Sequence, residues 1–390
     1  MAEFNLARER LRTVATTVRR SAEAASLAVR QRSSDAPGVN LVGPAQRDFG
    51  LGAMTGELAQ ALESAGVSSA AWEFDLSPHA RLSRHLDVAP STIAVVNSGL
   101  IPVAAGAYPR AFSPRRHRVG LWHWELEQVP FSQRLGLPLV DEVWATSTFV
   151  QEAFGAVTSK PVRRFPLPIR RLEGGTPGEA RQHLGVGDRV LLAYQVDLGS
   201  SARRKNPVAV VEAYKQAFPA VQSDVRLLIK SVNADMASGA WSTLERARAG
   251  REDILLVDAR WPGSLVASLY EDLDCYVSLH RSEGYGLTVA HALAAGKPVI
   301  ATDYGGTTDL IRHDRGTAVP YRLVRVGTDP SYPADASWAD PDRDAAAEAI
   351  RDLVDRLDHY RVAGRAAGKS AGAEFSTERA VDWLRARIDR

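Results

Sequence analysis

Cysteine is almost absent: Cys275 stands alone among 390 residues. One thiol excludes an internal disulfide and a cysteine-based zinc site, which fits a reducing cytoplasm. It sits just ahead of the apolar run Tyr276 to Leu279, where burial is expected rather than reactivity. The chain also lacks any run of about 18 apolar residues, so no transmembrane helix is expected. Met1 to Arg32 is studded with arginine and lacks the apolar core of a signal peptide. A cytoplasmic protein is therefore expected, free or associated with the cytoplasmic face of a membrane. Net charge is nearly absent too: 48 basic against 46 acidic residues leave +2. That excludes a dedicated nucleic-acid binder while leaving room for local basic patches. Low-complexity tracts are missing.

The length exceeds one ordinary core, so two domains are expected. The most informative stretch runs from Tyr276 to Ala301. A short apolar run suits a buried parallel strand. A polar loop follows, carrying Glu283 beside Gly284 and Gly286. An alanine-rich helix from about Leu287 is closed by Gly296, with Pro298 just beyond, and a second apolar run starts at Val299. Glycines allow close approach of a ligand, and a helix N-terminus presents unpaired N–H groups to an anion. The unit is suited to a phosphate, with Glu283 reaching an adjacent hydroxyl-rich group.

Residues 1–37 read as a helical appendage, with Phe4, Leu11, Val14 and Val18 at roughly helical spacing among arginines. Two readings stand: a helix packed on the body or mobile in solution, or a basic amphipathic segment touching an anionic membrane surface or a partner. Ser33 to Gly38 reads as a linker. Then come a strand at Val39 to Val42, a loop holding Gly50 and Gly52, and a helix from about Ala53. This is the start of a Rossmann-like half, although Gly-x-Gly without a third glycine is weak evidence for a nucleotide. Further on, Arg115 to Arg118 forms a basic loop, either solvated or facing an anionic acceptor. Trp122-His123-Trp124-Glu125 ends a strand. Aromatic faces beside a carboxylate suit a sugar; alternatively the tryptophans are core and Glu125 caps a helix. Pro161 to Ile169 looks like the exit from this domain.

A second α/β unit opens at Val190. Its first loop carries Ser200 and the cations Arg203-Arg204-Lys205 just before Pro207, a natural first residue of a helix. Three adjacent cations there suit a diphosphate, or form a solvated turn. Asp272-Leu273-Asp274 ends a helix before a buried strand, so no metal role is expected for it. A glycine turn covers Asp303 to Asp309, about 322–342 reads as irregular, and a final helix starts after Ser376.

Taken together, several motifs resemble the retaining glycosyltransferases of the GT-B fold, glycosyltransferase family 4 (group 1), over about residues 38–390. They are Phe49-Gly50-Leu51-Gly52, Trp122-His123-Trp124-Glu125-Leu126, Asp141-Glu142-Val143-Trp144, Arg204-Lys205-Asn206-Pro207, Ser278 to Leu287, Gly296-Lys297-Pro298-Val299 and Trp338-Ala339-Asp340-Pro341. The order resembles the branch with a Trp-x-Trp-Glu-Leu segment. The resemblance implies an α/β protein with two Rossmann-like domains facing across a cleft and a C-terminal helix crossing back. The boundaries become 1–37 for the appendage, 38–188 for the acceptor-side domain, 189–372 for the donor-side domain and 373–390 for the returning helix.

The resemblance also implies the chemistry. A hexose-type sugar would pass, with retention, from a GDP- or UDP-linked donor to a hydroxyl acceptor on a polysaccharide, glycolipid or natural product. No metal or other cofactor is needed for the chemistry and no nucleic acid is involved. Glu283 would hold the donor sugar; Lys205 and Arg204 would stabilise the leaving diphosphate, with Arg203 a further cation. His123 would contact donor sugar or acceptor, and Glu125 and Trp124 the acceptor. Gly50, Gly52, Ser200, Gly284, Tyr285, Gly286 and Leu287 would approach the donor, with the backbone of Ala259 and Arg260 at the nucleobase. No nucleophile is assigned, because the leaving phosphate would take the acceptor's proton. The family pattern Glu-x7-Glu is broken: His291 stands where a second glutamate would bind ribose. Imidazole accepts one hydrogen bond and donates another, but does not chelate two hydroxyls. Three alternatives follow: an ordinary donor bound through His291, an altered nucleotide preference, or a non-catalytic sugar-nucleotide-binding or scaffold protein. A dehydrogenase, suggested by Rossmann-like halves alone, lacks the full glycine fingerprint. Oligomeric state does not follow from the sequence.

Overall fold

The computed structural model describes residues 13–22, 32–35, 37–44, 50–74 and 85–388. Two compact units emerge, one reaching Pro168 and resuming at Thr377, the other spanning Ile169–Ser376. Phe4, Leu11 and Phe49, used above, lie outside the described residues.

The first unit holds a six-stranded parallel sheet. Its strands lie in the order Ser69–Glu73, Val39–Gly43, Ser91–Ala94, His117–Trp122, Glu142–Ala145 and Val162–Arg164. The inner strands are largely buried on both faces and mostly apolar, with Asn40 and Glu142 among their buried polar residues. The helix after Val39–Gly43 starts at Leu51, with Gly50 as its N-cap at φ 58°. Gly52 is thus buried inside its first turn rather than in the loop. Residues 13–22 are helical. The expected linker at Ser33 to Gly38 is partly a strand: Arg32–Asp35 pairs in parallel with His85–Val88.

The final helix, Thr377–Ile388, belongs to this unit. Leu384 is fully buried, and the Trp383 ring meets Trp144 edge-on at 4.6 Å and Phe165 at 5.3 Å. Arg385 Nε donates to the Ala65 carbonyl at 3.1 Å.

The second unit has its own six-stranded parallel sheet. The order is Ile254–Asp258, Val225–Val232, Val190–Asp197, Cys275–Ser278, Val299–Thr302 and Thr317–Val319. Numbered along this unit, that is the doubly wound order 3-2-1-4-5-6. The direction of winding reverses between Val190–Asp197 and Cys275–Ser278, and ligands of such sheets bind beyond the carboxyl ends of the strands at that point. Cys275 is buried in the fourth of these strands, and burial pushes its thiol pKa well up.

Residues 169–188 sit with this second unit, not with the first. Asp272 accepts from the backbone N–H groups of Gly178, Ala180 and Arg181 at 2.6, 3.0 and 3.1 Å, capping the helix Glu179–Leu184. Arg181 also reaches Asp274 at 2.7 Å. These bonds tie the segment to the second core and set the boundary at Pro168.

The expected irregular stretch at 322–342 contains an antiparallel hairpin. Tyr321–Arg325 pairs with Ser337–Pro341.

Candidate functional site

The strand Val190–Asp197 delivers the chain to a one-turn helix, Ala202–Lys205. Ser201 caps it by accepting from Arg204 N at 3.1 Å. Asn206 stops it in the left-handed region at φ 54°, and Pro207 opens the next helix, Pro207–Ala217. Two long-range bonds fix the turn: Tyr194 Oη donates to the Lys205 carbonyl at 2.7 Å and Asn206 Nδ2 to the Leu279 carbonyl at 2.9 Å.

Across from this turn, the loop after Cys275–Ser278 presents Glu283. Its carboxylate pairs directly with Lys205 Nζ and lies 3.0 Å from Arg204 Nη1, which also donates to the Ser282 carbonyl at 2.8 Å. Arg204 is buried, whereas Lys205 and Glu283 are partly accessible. Burial alone would raise the Glu283 pKa. The two cations outweigh that and hold it down at about 2. At neutral pH the cluster is two cations around one carboxylate. It offers hydrogen-bond acceptors to hydroxyls and a net positive charge to an anion.

The glycine turns on either side interlock with this loop. Gly286 has φ 91°, and a Cβ there would come within 2.2 Å of the Thr307 side chain. A Cβ on Gly306 would lie 2.0 Å from the Gly284 carbonyl oxygen, and Gly306 N already donates to the Glu283 carbonyl at 2.6 Å. Only glycine allows two loops to close this tightly. Gly286 caps the helix Leu287–Ala294, whose first turn carries no side-chain anion. Gly284 and Tyr285 are buried. Leu287, Thr288 and His291 are the half-buried residues of the first two turns and share one helix face.

His291 Nδ1 lies 3.4 Å from the Arg170 carbonyl, and its ring meets Tyr270 edge-on at 5.7 Å. Burial lowers its pKa to about 4, against the Arg170 carbonyl that favours the charged form. The ring is neutral at pH 7. With Nδ1–H donating to that carbonyl, Nε2 is the acceptor.

His280 lies beneath the loop, fully buried. Its Nδ1 is 3.0 Å from Ser278 Oγ, and its Nε2 lies 3.2 Å from the Tyr304 carbonyl and 2.9 Å from Thr307 Oγ1. Burial lowers its pKa to about 4 despite the nearby Glu283 carboxylate.

The other expected donor residues divide. Ser200 Oγ donates to the Asp197 carbonyl at 3.1 Å. Arg260 is exposed and donates to Asn233 Oδ1 at 2.6 Å, while Ala259 N is already bonded to the Ser231 carbonyl. Arg203 does not join its two neighbours at Glu283. Its Nη1 donates to Thr328 Oγ1 at 2.8 Å and its guanidinium lies over the Trp338 ring. Three adjacent cations therefore split, because successive positions on a single turn face different ways.

In the first unit, residues 122–126 alternate. Trp122, Trp124 and Leu126 are buried, and His123 and Glu125 are the half-exposed pair between them. Trp124 Nε1 donates to the Gln128 carbonyl at 3.0 Å, so this ring supports the segment from within. His123 and Glu125 follow the carboxyl end of one strand, as Gly50 follows that of another.

Asp272 and Asp274 are occupied with backbone amides and arginines, including Arg361 at 2.8 Å from Asp274. Among the described residues no group of three His, Cys, Asp or Glu side chains is arranged to hold a metal ion.

Sequence reasoning gave no site role to Ser201, Asn206, His280 or Arg281, although the last three lie inside the quoted motifs. Ser201 carried a local signal, as a serine ahead of a turn that closes before proline. His280 and Arg281 had only their place in the Ser278 to Leu287 motif as a signal, since the partners that give them their roles lie far along the chain.

In fold, the chain is similar to the Thermosynechococcus elongatus sucrose-phosphate synthase, with TM-score 0.66 and 16% identity over 90% of this chain and 97% of that one. It is similar also to Anabaena HepE in complex with UDP-glucose, with TM-score 0.65 and 14% identity over 90% of this chain and 99% of that one. The two parallel sheets with their helices are those of the GT-B glycosyltransferase fold. In sequence, 252 residues are 27% identical to the D-inositol 3-phosphate glycosyltransferase of Actinosynnema mirum, covering 61% of this chain and 54% of that protein. A shorter stretch of 65 residues is 38% identical to the lipopolysaccharide core biosynthesis mannosyltransferase LpsB of Rhizobium meliloti, covering 17% of this chain and 18% of that one. The matches thus span about half and about a fifth of those two relatives. The stretch that carries Arg204, Lys205, Glu283 and His291, residues 198–356, matches the family described as glycosyl transferases group 1.

Proposed function

We propose that the chain is a retaining, metal-independent glycosyltransferase of family 4 type. It moves a hexose-type sugar from a GDP- or UDP-linked donor to a hydroxyl acceptor on a polysaccharide, glycolipid or natural product. The observation that carries this reading is the Arg204–Glu283–Lys205 cluster beyond the carboxyl ends of the strands where the second sheet reverses. In this reading Glu283 accepts hydrogen bonds from donor sugar hydroxyls. Lys205 and Arg204 meet the diphosphate and stabilise the charge that grows as the glycosidic bond breaks. The N–H groups opening the helix Leu287–Ala294 add to that anion site.

The acceptor oxygen bonds the anomeric carbon on the face the phosphate leaves. The bonding pair departs with the nucleotide, and the acceptor's proton goes to the leaving phosphate oxygen. No covalent enzyme intermediate is required. His123 and Glu125 are the proposed contacts to donor sugar and acceptor, being the accessible members of their segment. The UDP-glucose held by the similar Anabaena protein supports a nucleotide-sugar partner.

A thermal-shift screen with UDP-, GDP- and dTDP-sugars, followed by nucleotide release in EDTA, tests the reading. Stabilisation by one base class is expected, since binding to the folded state raises apparent stability. No shift with any donor contradicts it.

His291 carries a second reading, a non-catalytic sugar-nucleotide-binding or scaffold protein, because imidazole replaces a chelating carboxylate. Turnover with any donor–acceptor pair eliminates it. Among the described residues no helix is long and apolar enough to cross a membrane. Peripheral contact through the basic N-terminal segment is testable by flotation of the full chain with anionic vesicles.

A further inference from the structure

The turn that carries Arg204 and Lys205 is too short to hold itself. A single helical turn fixes several backbone dihedrals for few hydrogen bonds, and this one packs three cations side by side. Its support comes from chain more than a hundred residues later. Ser201 Oγ donates to Asp329 Oδ2 at 2.5 Å, with Asp329 buried and its other oxygen accepting from Ser331 N at 2.9 Å. Arg203 Nη1 donates to Thr328 Oγ1 at 2.8 Å. The buried Trp338 has two guanidinium groups near its ring, Arg203 at 5.7 Å and Arg281 at 5.8 Å from the centroid. Arg281 lies 3.0 Å from Asp340. The backbone continues the chain of contacts: Ala339 N donates to the Arg281 carbonyl at 2.9 Å and Arg281 N to the Arg204 carbonyl at 2.7 Å.

Resting on the reading of this site as a sugar-nucleotide site, we propose that Trp338 and Asp329, on the hairpin Tyr321–Arg325/Ser337–Pro341 and its loop, are positioning residues for the diphosphate cations Arg204 and Lys205. They touch no ligand themselves. Asp329 fixes the N-cap serine of the turn. Trp338 holds Arg203 to one side, away from Glu283, and holds Arg281, whose backbone bonds Arg204. Cation–aromatic contacts and a buried charge-assisted bond both restrict the direction of the groups they hold. Removing either leaves the cations in place in sequence but loose in direction.

The chemistry gives a selective readout. Loosened cations weaken binding of a nucleoside diphosphate and leave the corresponding monophosphate less affected, because the latter lacks the terminal phosphate. Titration calorimetry of wild type, Trp338→Leu, Trp338→Phe and Asp329→Asn with UDP, UMP, GDP and GMP tests this, with thermal unfolding run alongside. For the diphosphate that wild type binds, Trp338→Leu and Asp329→Asn are expected to lose about tenfold or more in affinity. Affinity for the matching monophosphate should change less than about threefold, and Trp338→Phe should recover most of the diphosphate affinity. Equal losses for both nucleotides overturn the proposal in favour of general support of the fold, as does no loss for either. If Trp338→Leu does not fold, the milder Asp329→Asn decides. Wild type binding none of the four nucleotides overturns the underlying functional reading instead, and with it the proposal.

Discussion

Lys205 and Glu283, 78 residues apart in the chain, form a direct ion pair. Sequence reasoning gives them to different parts of a ligand, the ammonium to a diphosphate and the carboxylate to sugar hydroxyls. The structure joins them directly, with Arg204 as the second cation on the same carboxylate. In the proposed reading, a bound diphosphate shares these cations with Glu283.

The pairing gives Glu283→Gln two opposite effects. Without the carboxylate, Arg204 and Lys205 face an anion uncompensated. Affinity for the free nucleoside diphosphate should rise by about threefold to tenfold, while sugar turnover falls sharply because the amide does not match the carboxylate toward hydroxyls. Calorimetry with UDP or GDP and a nucleotide-release assay check the two halves separately. A parallel fall in both would mean that Glu283 organises the cations rather than competing for them.

His280 predicts a pH-dependent stability. Its folded pKa of about 4 lies below the ordinary 6.5, so the unfolded chain binds the proton more tightly. The contribution is complete above pH 6.5 and is lost as pH falls towards 4, with a magnitude on the order of 3 kcal/mol. Glu283, Lys205 and Arg204 are the charged groups acting on it. Urea midpoints at pH 7 and pH 5 should differ more for wild type than for His280→Gln. His291, lowered in the same direction, supplies the dependence that remains in the variant. Identical pH profiles for both proteins would contradict this account.

Lys230 is buried in the second sheet. Its Nζ has no hydrogen-bond partner among the described residues, and it lies 5.5 Å from the Trp261 ring centroid. Burial lowers its pKa to about 8. Lys230→Met keeps the volume and removes the charge, and should stabilise the fold at pH 7 by about 1–3 kcal/mol. Because the folded pKa lies below the unfolded one, wild type gains stability between pH 8 and the ordinary 10.5. The gap between the two proteins should narrow there. A destabilised Met variant would show that the ammonium has a polar partner of its own.

The fold was legible because strands buried on both faces read as apolar runs, such as Val190 to Tyr194 and Val299 to Ala301. The glycine loop around Glu283 was legible for a similar reason: its signal is contiguous. What stayed hidden depends on distant partners. The hairpin at 321–341 read as irregular because its proline- and aspartate-rich loop masks two short strands. Residues 169–188 read as part of the first domain because nothing local announces that Asp272 caps their helix. Trp124 read either as an acceptor contact or as core, and the alternation of burial along 122–126 shows it facing inward.

At position 291 the ring nitrogen Nδ1 faces the Arg170 carbonyl, leaving Nε2 as an acceptor. A carboxylate in its place provides two acceptors, so His291→Glu should keep or tighten nucleotide affinity. A loss above about tenfold in calorimetry would show that imidazole is specifically required.

The most direct test of the central claim is nucleoside diphosphate release from UDP- and GDP-sugars in EDTA, by wild type and by Glu283→Ala with its folding confirmed by thermal unfolding. Release by wild type and its near loss in the variant is the predicted result. Undiminished release by a folded Glu283→Ala protein would contradict the assignment of the site.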